Sequence, residues 1–171
     1  MARHPIQIVS IIGMPGAGKS TVGILLAKRL GLAFVDTDLL IQHQEQATLA
    51  EIIAAKGHQA FRAIEEQVLL DMDIGASVIS TGGSVVYSEA IMNRLSNASS
   101  MVYLRSLLAT IEYRISLAPD RGIASPGNRT LEEVYNERVP LYERYADITL
   151  DVDSETPETL TGHIASALKS Q

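Results

Sequence analysis

The stretch Gly13-Met-Pro-Gly-Ala-Gly-Lys-Ser20 follows an apolar run and opens a helical pattern. A glycine, four residues, then Gly-Lys-Ser, placed between a strand and a helix, constrains both fold and chemistry. In such a turn successive backbone N–H groups and the helix N-terminus converge on an anion, and side chains larger than glycine or alanine would crowd it. Lys19 then sets its ammonium on the outer phosphates of a polyphosphate, and Ser20 offers its hydroxyl to a magnesium ion. A plain glycine-rich turn with its lysine in solvent accounts less well for the pattern and its placement together.

The surrounding order of elements agrees. Apolar, β-rich runs lie at 6–12, 32–35, 77–80, 101–104 and 148–152, and helical patterns at 19–30, 49–55, 60–72, 89–95, 107–115, 131–145 and 157–168. Strands alternating with helices imply an α/β fold of three α/β/α layers around a parallel sheet, with functional groups at the carboxyl ends of the strands. At 171 residues, a single domain spanning 1–171 is expected. One segment breaks the alternation: residues 117–130 carry two prolines and two glycines and read as a mobile loop of the length that lids have.

Composition excludes several function classes. A net charge of −6 argues against a protein built to bind nucleic acid, and the six tyrosines and two phenylalanines form no base-stacking series beside basic residues. The longest apolar stretches, about ten residues, are too short to span a bilayer. With no cysteine, disulfides and thiolate metal sites are ruled out. His4, His43, His58 and His163 lack metal-ligand spacing. The N-terminus has no charged, apolar and cleavage regions of a secretion signal, so a cytoplasmic location, without membrane or nucleic-acid partners, is expected.

Three further groups of residues suit a phosphoryl-transfer site. Asp36 and Asp38, in Phe34-Val-Asp-Thr-Asp38, close the second strand, with strand alternation pointing both carboxylates one way. Helix capping is a competing role for Asp38, but beside a phosphate loop Asp36 fits the magnesium shell and Asp38 the acceptor hydroxyl. Arg62, Arg121 and Arg138 supply guanidinium forks that hold carboxylates or phosphoryl oxygens in fixed geometry. In Val78-Ile-Ser-Thr-Gly-Gly-Ser-Val-Val86, an apolar run collapses into small residues. Bare backbone there serves either a turn or close approach by a ligand.

Taken in order, these residues resemble the shikimate kinases, a family with the phosphate-loop fold of the nucleoside monophosphate kinases. The similarity runs along nearly the whole chain: Gly13 to Ser20, Asp36 to Asp38, Phe61-Arg62 followed by Glu65, Gly82-Gly83, Arg138-Val-Pro-Leu-Tyr142, and Tyr145 to Asp153 leading to Pro157. The resemblance implies five parallel strands in the order 2-3-1-4-5, an acceptor segment at about 37–65, a lid at about 117–130, and a cytoplasmic monomer that phosphorylates the 3-hydroxyl of shikimate. ATP and Mg2+ are the implied cofactors, with Gly13, Pro15, Gly16, Ala17, Gly18, Lys19, Ser20 and Thr21 around the phosphates. Lys19, Asp38 and Arg121 are the implied catalytic residues. Ser20 and Asp36 serve the metal, Arg114 packs on adenine with Pro157 opposite, and Arg62, Arg138, Asp38, Gly82, Gly83 and Ser84 line the acceptor site. Glu65 would steady Arg62, and Tyr142 and Tyr145 would pack their helix on the sheet.

Two departures stand out. Ser84 occupies the place of a third glycine, and Arg121 is followed by Gly122-Ile-Ala124 rather than proline and leucines. They keep open a related kinase acting on another small polyol or hydroxy acid, and, in a different class, a nucleotide-binding regulatory module without catalysis.

Overall fold

The computed structural model describes residues 7–118, 127 and 129–170. Five strands form one parallel sheet: β1 (Val9–Ile12), β2 (Ala33–Asp36), β3 (Ser77–Ser80), β4 (Ser100–Arg105) and β5 (Ile148–Asp151), in the order β2-β3-β1-β4-β5. The expected order therefore holds. The inner strands β1 and β3 are buried along their whole length, whereas the edge strands β2 and β5 are partly exposed. This is the burial that unbroken apolar runs require when helices cover both faces of a parallel sheet.

The helices are α1 (Lys19–Leu30), α2 (Thr37–Glu45), α3 (Leu49–Asp71), α4 (Glu89–Ala98), α5 (Leu108–Ser116), α6 (Leu131–Tyr145) and α7 (Pro157–Leu168), with a 3-10 turn at Val85–Tyr87. Capping explains several boundaries: Thr48 and Thr130 each form a reciprocal capping box, with Glu51 and Glu133, and Pro157 occupies the first turn of α7 behind Thr156. The two helices expected at 49–55 and 60–72 are continuous except at Gly57, whose φ of 83° breaks the run. Helix α2 is not among the expected helical segments, although capping at Asp38 pointed toward a helix here. It starts directly from β2 because the Asp36 carboxylate accepts from the N–H groups of Asp38 and Leu39. The cap is thus Asp36, not Asp38. Among the described residues no helix is long and apolar enough to cross a membrane.

The core gathers on the middle of the sheet, where Val9, Ile11, Ile12, Val78, Met101, Val102 and Leu104 are fully buried. Because β1 lies between β3 and β4, the loop leaving its carboxyl end faces the crevice in which doubly wound sheets bind ligands. That loop is held tightly against its neighbour: at Gly13, with φ of 149°, a Cβ would come within 2.7 Å of the Leu104 carbonyl oxygen. Gly13→Ala should therefore destabilise the fold by about 1–3 kcal/mol through overpacking against backbone. Gly75→Ala, with open space at its Cβ, should cost nothing measurable. Equilibrium denaturation of the two variants checks the contrast.

Candidate active site

The phosphate loop leads from β1 into α1 and leaves its donors open. Gly18 precedes α1 with φ of 93° and has no side chain with which to cap it, and a Cβ there would meet nothing within 4 Å. The first-turn amides of α1 thus face open space at the positive end of a helix, an arrangement suited to an anion. The Lys19 side chain is buried and curls back across the loop, donating to the carbonyl oxygens of Gly13 and Met14, each at 2.9 Å. From α5, Arg114 donates to the Gly16 carbonyl at 2.9 Å and so buttresses the loop from outside. Pro157 lies at the start of α7. Arg121, and most of the segment expected to form a lid, lie outside the described residues.

Asp36 joins strand end, helix start and phosphate loop. One carboxylate oxygen caps α2 and the other accepts from the Ser20 hydroxyl at 2.7 Å. Ser80 stands 3.3 Å from the same hydroxyl, a neighbour that sequence reading missed. Asp36 and Asp38 border the same cavity, although strand alternation is not the cause: Asp36 ends β2 and Asp38 belongs to the first turn of α2.

This cavity, about 690 Å³, runs from the phosphate loop to a cluster formed by Asp38, Glu65, Gly82, Gly83, Ser84 and Arg138. The two glycines are required by side chains pressed onto them. A Cβ on Gly82 would lie 2.8 Å from both Asp38 Oδ1 and Glu65 Oε1, and one on Gly83 would lie 2.8 Å from Pro15 Cδ and 2.9 Å from Arg138 Nη1. Bare backbone thus lets the acidic and basic groups of the acceptor end settle beside the phosphate loop. The Gly82 N–H is not open to a ligand, since it donates to Thr37 Oγ1 at 3.1 Å. Tyr142 packs against the ring of Tyr103, as expected of a core residue, and in addition donates its hydroxyl to the Gly83 carbonyl at 2.7 Å.

Ser84 and Glu65 form a pair the sequence did not disclose. The buried Ser84 hydroxyl donates to Glu65 Oε2 at 2.6 Å, while Glu65 Oε1 is buried without a hydrogen-bond partner. Glu65 does not pair with Arg62, correcting that expectation. Arg62 sits with its guanidinium carbon 4.0 Å from the Tyr87 ring centroid and lines a separate cavity of about 180 Å³ behind Glu65 and Ser84. Arg138 does reach the main cavity, and its Nε donates to the Tyr87 hydroxyl at 3.3 Å.

Burial pushes the Glu65 carboxyl up from 4.5 to about 7, against the Ser84 hydrogen bond that lowers it; the nearby Asp38 charge raises it further, and Arg138 and Arg62 lower it. The folded protein therefore holds this proton more tightly than the unfolded chain. Stability from it is present in full below pH 4.5 and is lost as the pH rises through about 7. Relative to Glu65→Gln, the wild-type protein should lose stability across that window and stay level above it. Ser84→Gly should extend the loss to higher pH, since it removes the bond that favours the carboxylate. Chemical denaturation at a series of pH values reads both effects.

Comparison with known proteins agrees with this geometry. The family model for shikimate kinase matches residues 15–169. Over 168 residues the chain is 33% identical to "Shikimate kinase 2" of Enterobacter sp. (strain 638), covering 95% of this chain and 96% of the relative. Over 167 residues it is 35% identical to "Shikimate kinase 2" of Escherichia coli O1:K1 / APEC, covering 95% of each. Among solved structures, the shikimate kinase from Acinetobacter baumannii in complex with shikimate superposes with a TM-score of 0.89 at 28% identity, covering 96% of this chain and 93% of that one. The shikimate kinase from Aquifex aeolicus does so with a TM-score of 0.79 at 28% identity, covering 96% and 97%. With a match along nearly its whole length and the phosphate loop, paired aspartates and glycine floor in one cavity, this chain belongs to the shikimate kinase family.

Proposed function

We propose that the chain transfers the γ-phosphoryl group of ATP directly to the 3-hydroxyl of shikimate. The observation that carries this reading is the continuity of one cavity, about 690 Å³, from the Gly18-Lys19-Ser20 turn to the Asp38 and Arg138 end. Two substrates in such a cavity meet without a covalent enzyme intermediate, and catalysis then consists of positioning and charge neutralisation. The α1 N-terminus and loop amides take the phosphates. Lys19, already inside the loop, neutralises charge on the outer ones. Asp38 orients the acceptor hydroxyl and receives its proton. Arg138, which lines this cavity, holds the acceptor's carboxylate through its fixed guanidinium fork, whereas Arg62 lines the separate smaller cavity.

The residues present also fit magnesium. Ser20 Oγ and Asp36 Oδ2 are hard oxygen donors 2.7 Å apart, and among the described residues no cluster of three or more His, Cys, Asp or Glu competes as a metal cage. Magnesium favours such a sparse donor set because it retains waters and takes substrate phosphates as ligands. When bound, it supplies neutralisation of charge developing on the phosphoryl oxygens. Ser20 and Asp36 would hold it, and Asp36 keeps its place by capping α2 with its other oxygen.

Ser84 does not favour a different acceptor, because its hydroxyl is engaged by Glu65. Coupled measurement of ADP release should show turnover that requires shikimate and magnesium together and stops with the 3-deoxy analogue. Release that proceeds with that analogue at the same rate, or with other hydroxy acids but not shikimate, would overturn the assignment. Lys19→Ala should lower kcat/KM by roughly 3–4 kcal/mol of transition-state stabilisation, with the fold retained; near-wild-type turnover in this variant excludes the phosphate role.

A further inference from the structure

Cationic side chains hold the carbonyl groups of the phosphate loop from two sides. Lys19 takes those of Gly13 and Met14 from within the loop, and Arg114 takes that of Gly16 through Nη1, each at 2.9 Å. Gly16 lines the main cavity, whereas Arg114 is not among the residues that border it. The Gly16 carbonyl is therefore drawn toward α5 and away from the space proposed for the phosphates. At the other end of the same peptide, the Ala17 N–H donates to the Met14 carbonyl at 3.1 Å. Arg114 is itself seated by its helix. An added Cβ on Gly16 would lie 3.5 Å from Arg114 Cβ and 3.9 Å from Ile111 Cδ1, so α5 packs directly on this glycine, and Ile111 is fully buried. Asp153 fixes the start of α5 by accepting from the Ser106 hydroxyl at 2.7 Å and the Leu107 N–H at 2.9 Å, and its carboxylate also lies within electrostatic reach of Arg114.

We infer that Arg114 is a positioning residue for the phosphate loop: by holding the Gly16 carbonyl on the outer side, it fixes the Gly16–Ala17 peptide in the orientation that keeps this oxygen out of the anion site. A carbonyl turned inward would set the negative end of a peptide dipole against a phosphate, where N–H groups are needed. Gly16 is where such a flip is easiest. Its φ of 84° lies in the left-handed region, and a glycine moves between backbone regions at little steric cost. A hydrogen bond from a guanidinium is of the stronger, charge-assisted kind, and the planar fork gives it a defined direction. The role needs a donor at the Gly16 oxygen rather than an unpaired charge, so the neighbouring Asp153 carboxylate does not oppose it. It also differs from packing on a base, because it acts on the phosphates whatever they are attached to.

This inference rests on the proposed binding of a triphosphate in the loop, and a ligand without a base separates the two. The full-length chain and its Arg114→Met variant are compared with magnesium tripolyphosphate as an inhibitor competing with ATP. Arg114→Met should raise the Ki of tripolyphosphate about tenfold, the scale of one hydrogen bond to a charged group, and the KM for ATP at least as much. The KM for shikimate should stay within about twofold of wild type. Loss of a positive charge by itself would also weaken an anion, so a second reading is taken without ligand. Exchange of the Ala17 amide hydrogen should quicken about tenfold in Arg114→Met, while that of Val102 in the buried part of β4 stays within about twofold. A KM for ATP that rises while the Ki of tripolyphosphate is unchanged assigns Arg114 to the base alone and overturns the inference. Unchanged Ala17 exchange does the same, and the proposed reaction survives either result. If tripolyphosphate does not compete with ATP in the wild-type protein, the phosphate reading of the loop fails and the inference falls with it. Should Arg114→Met not fold, Arg114→Ala, favourable within a helix, carries the same expectations.

Discussion

A buried ammonium at the carboxyl end of the central strand is the interaction on which the site depends. A charged group out of water is tolerable only when its hydrogen bonds are replaced, and Lys19 replaces them with the carbonyls of Gly13 and Met14. Those bonds bend the loop around its own lysine. The turn fits because Gly13 lies against the Leu104 carbonyl with no room for a Cβ. The chain can then enter α1 with its first amides open to a ligand. A positive charge, helix-end dipoles and bare peptide donors are thereby gathered at the point where the sheet opens, before any substrate arrives, which is the preorganisation that phosphoryl transfer exploits.

The acceptor end is built on the opposite principle, with charges of both signs packed onto glycine. Asp38 and Glu65 converge on Gly82, and Arg138 presses on Gly83. Two carboxylates so close do not both ionise readily, which accords with a Glu65 carboxyl pushed up to about 7, chiefly by burial. The Ser84 hydroxyl, bound to one oxygen of Glu65, moderates that shift. The acceptor-orienting role proposed for Asp38 places it beside a Glu65 whose own charge is disfavoured by burial.

The legible parts of the sequence were those in which chemistry and spacing are local. The phosphate loop could be read because its glycines, lysine and serine act within one turn, and β1 and β3 because strands covered on both faces show as unbroken apolar runs. Helix α2 was only half legible, because Asp36-Thr-Asp38 reads as a strand end or as a helix cap at Asp38, and the capping geometry shows that Asp36 starts the helix without an intervening loop. The Ser84–Glu65 bond, the Arg62–Tyr87 contact and the reach of Arg114 to Gly16 stayed invisible for a different reason. They join separate elements, up to 98 positions apart, and depend on which way side chains turn after the sheet has assembled. A helical arginine near a glutamate suggests an ion pair, yet a serine on the facing turn was enough to redirect the acid and leave the arginine to an aromatic ring.

The central claim is that both substrates share one cavity, so that the phosphoryl group passes straight from the loop side to the acceptor side. The measurement that tests this most directly is the stereochemical outcome with ATP made chiral at the γ-phosphorus by oxygen isotopes and shikimate as acceptor. A single in-line displacement inverts the configuration at phosphorus, and inversion is the result expected here. Retention would require two successive displacements through a phosphorylated enzyme and would contradict the account.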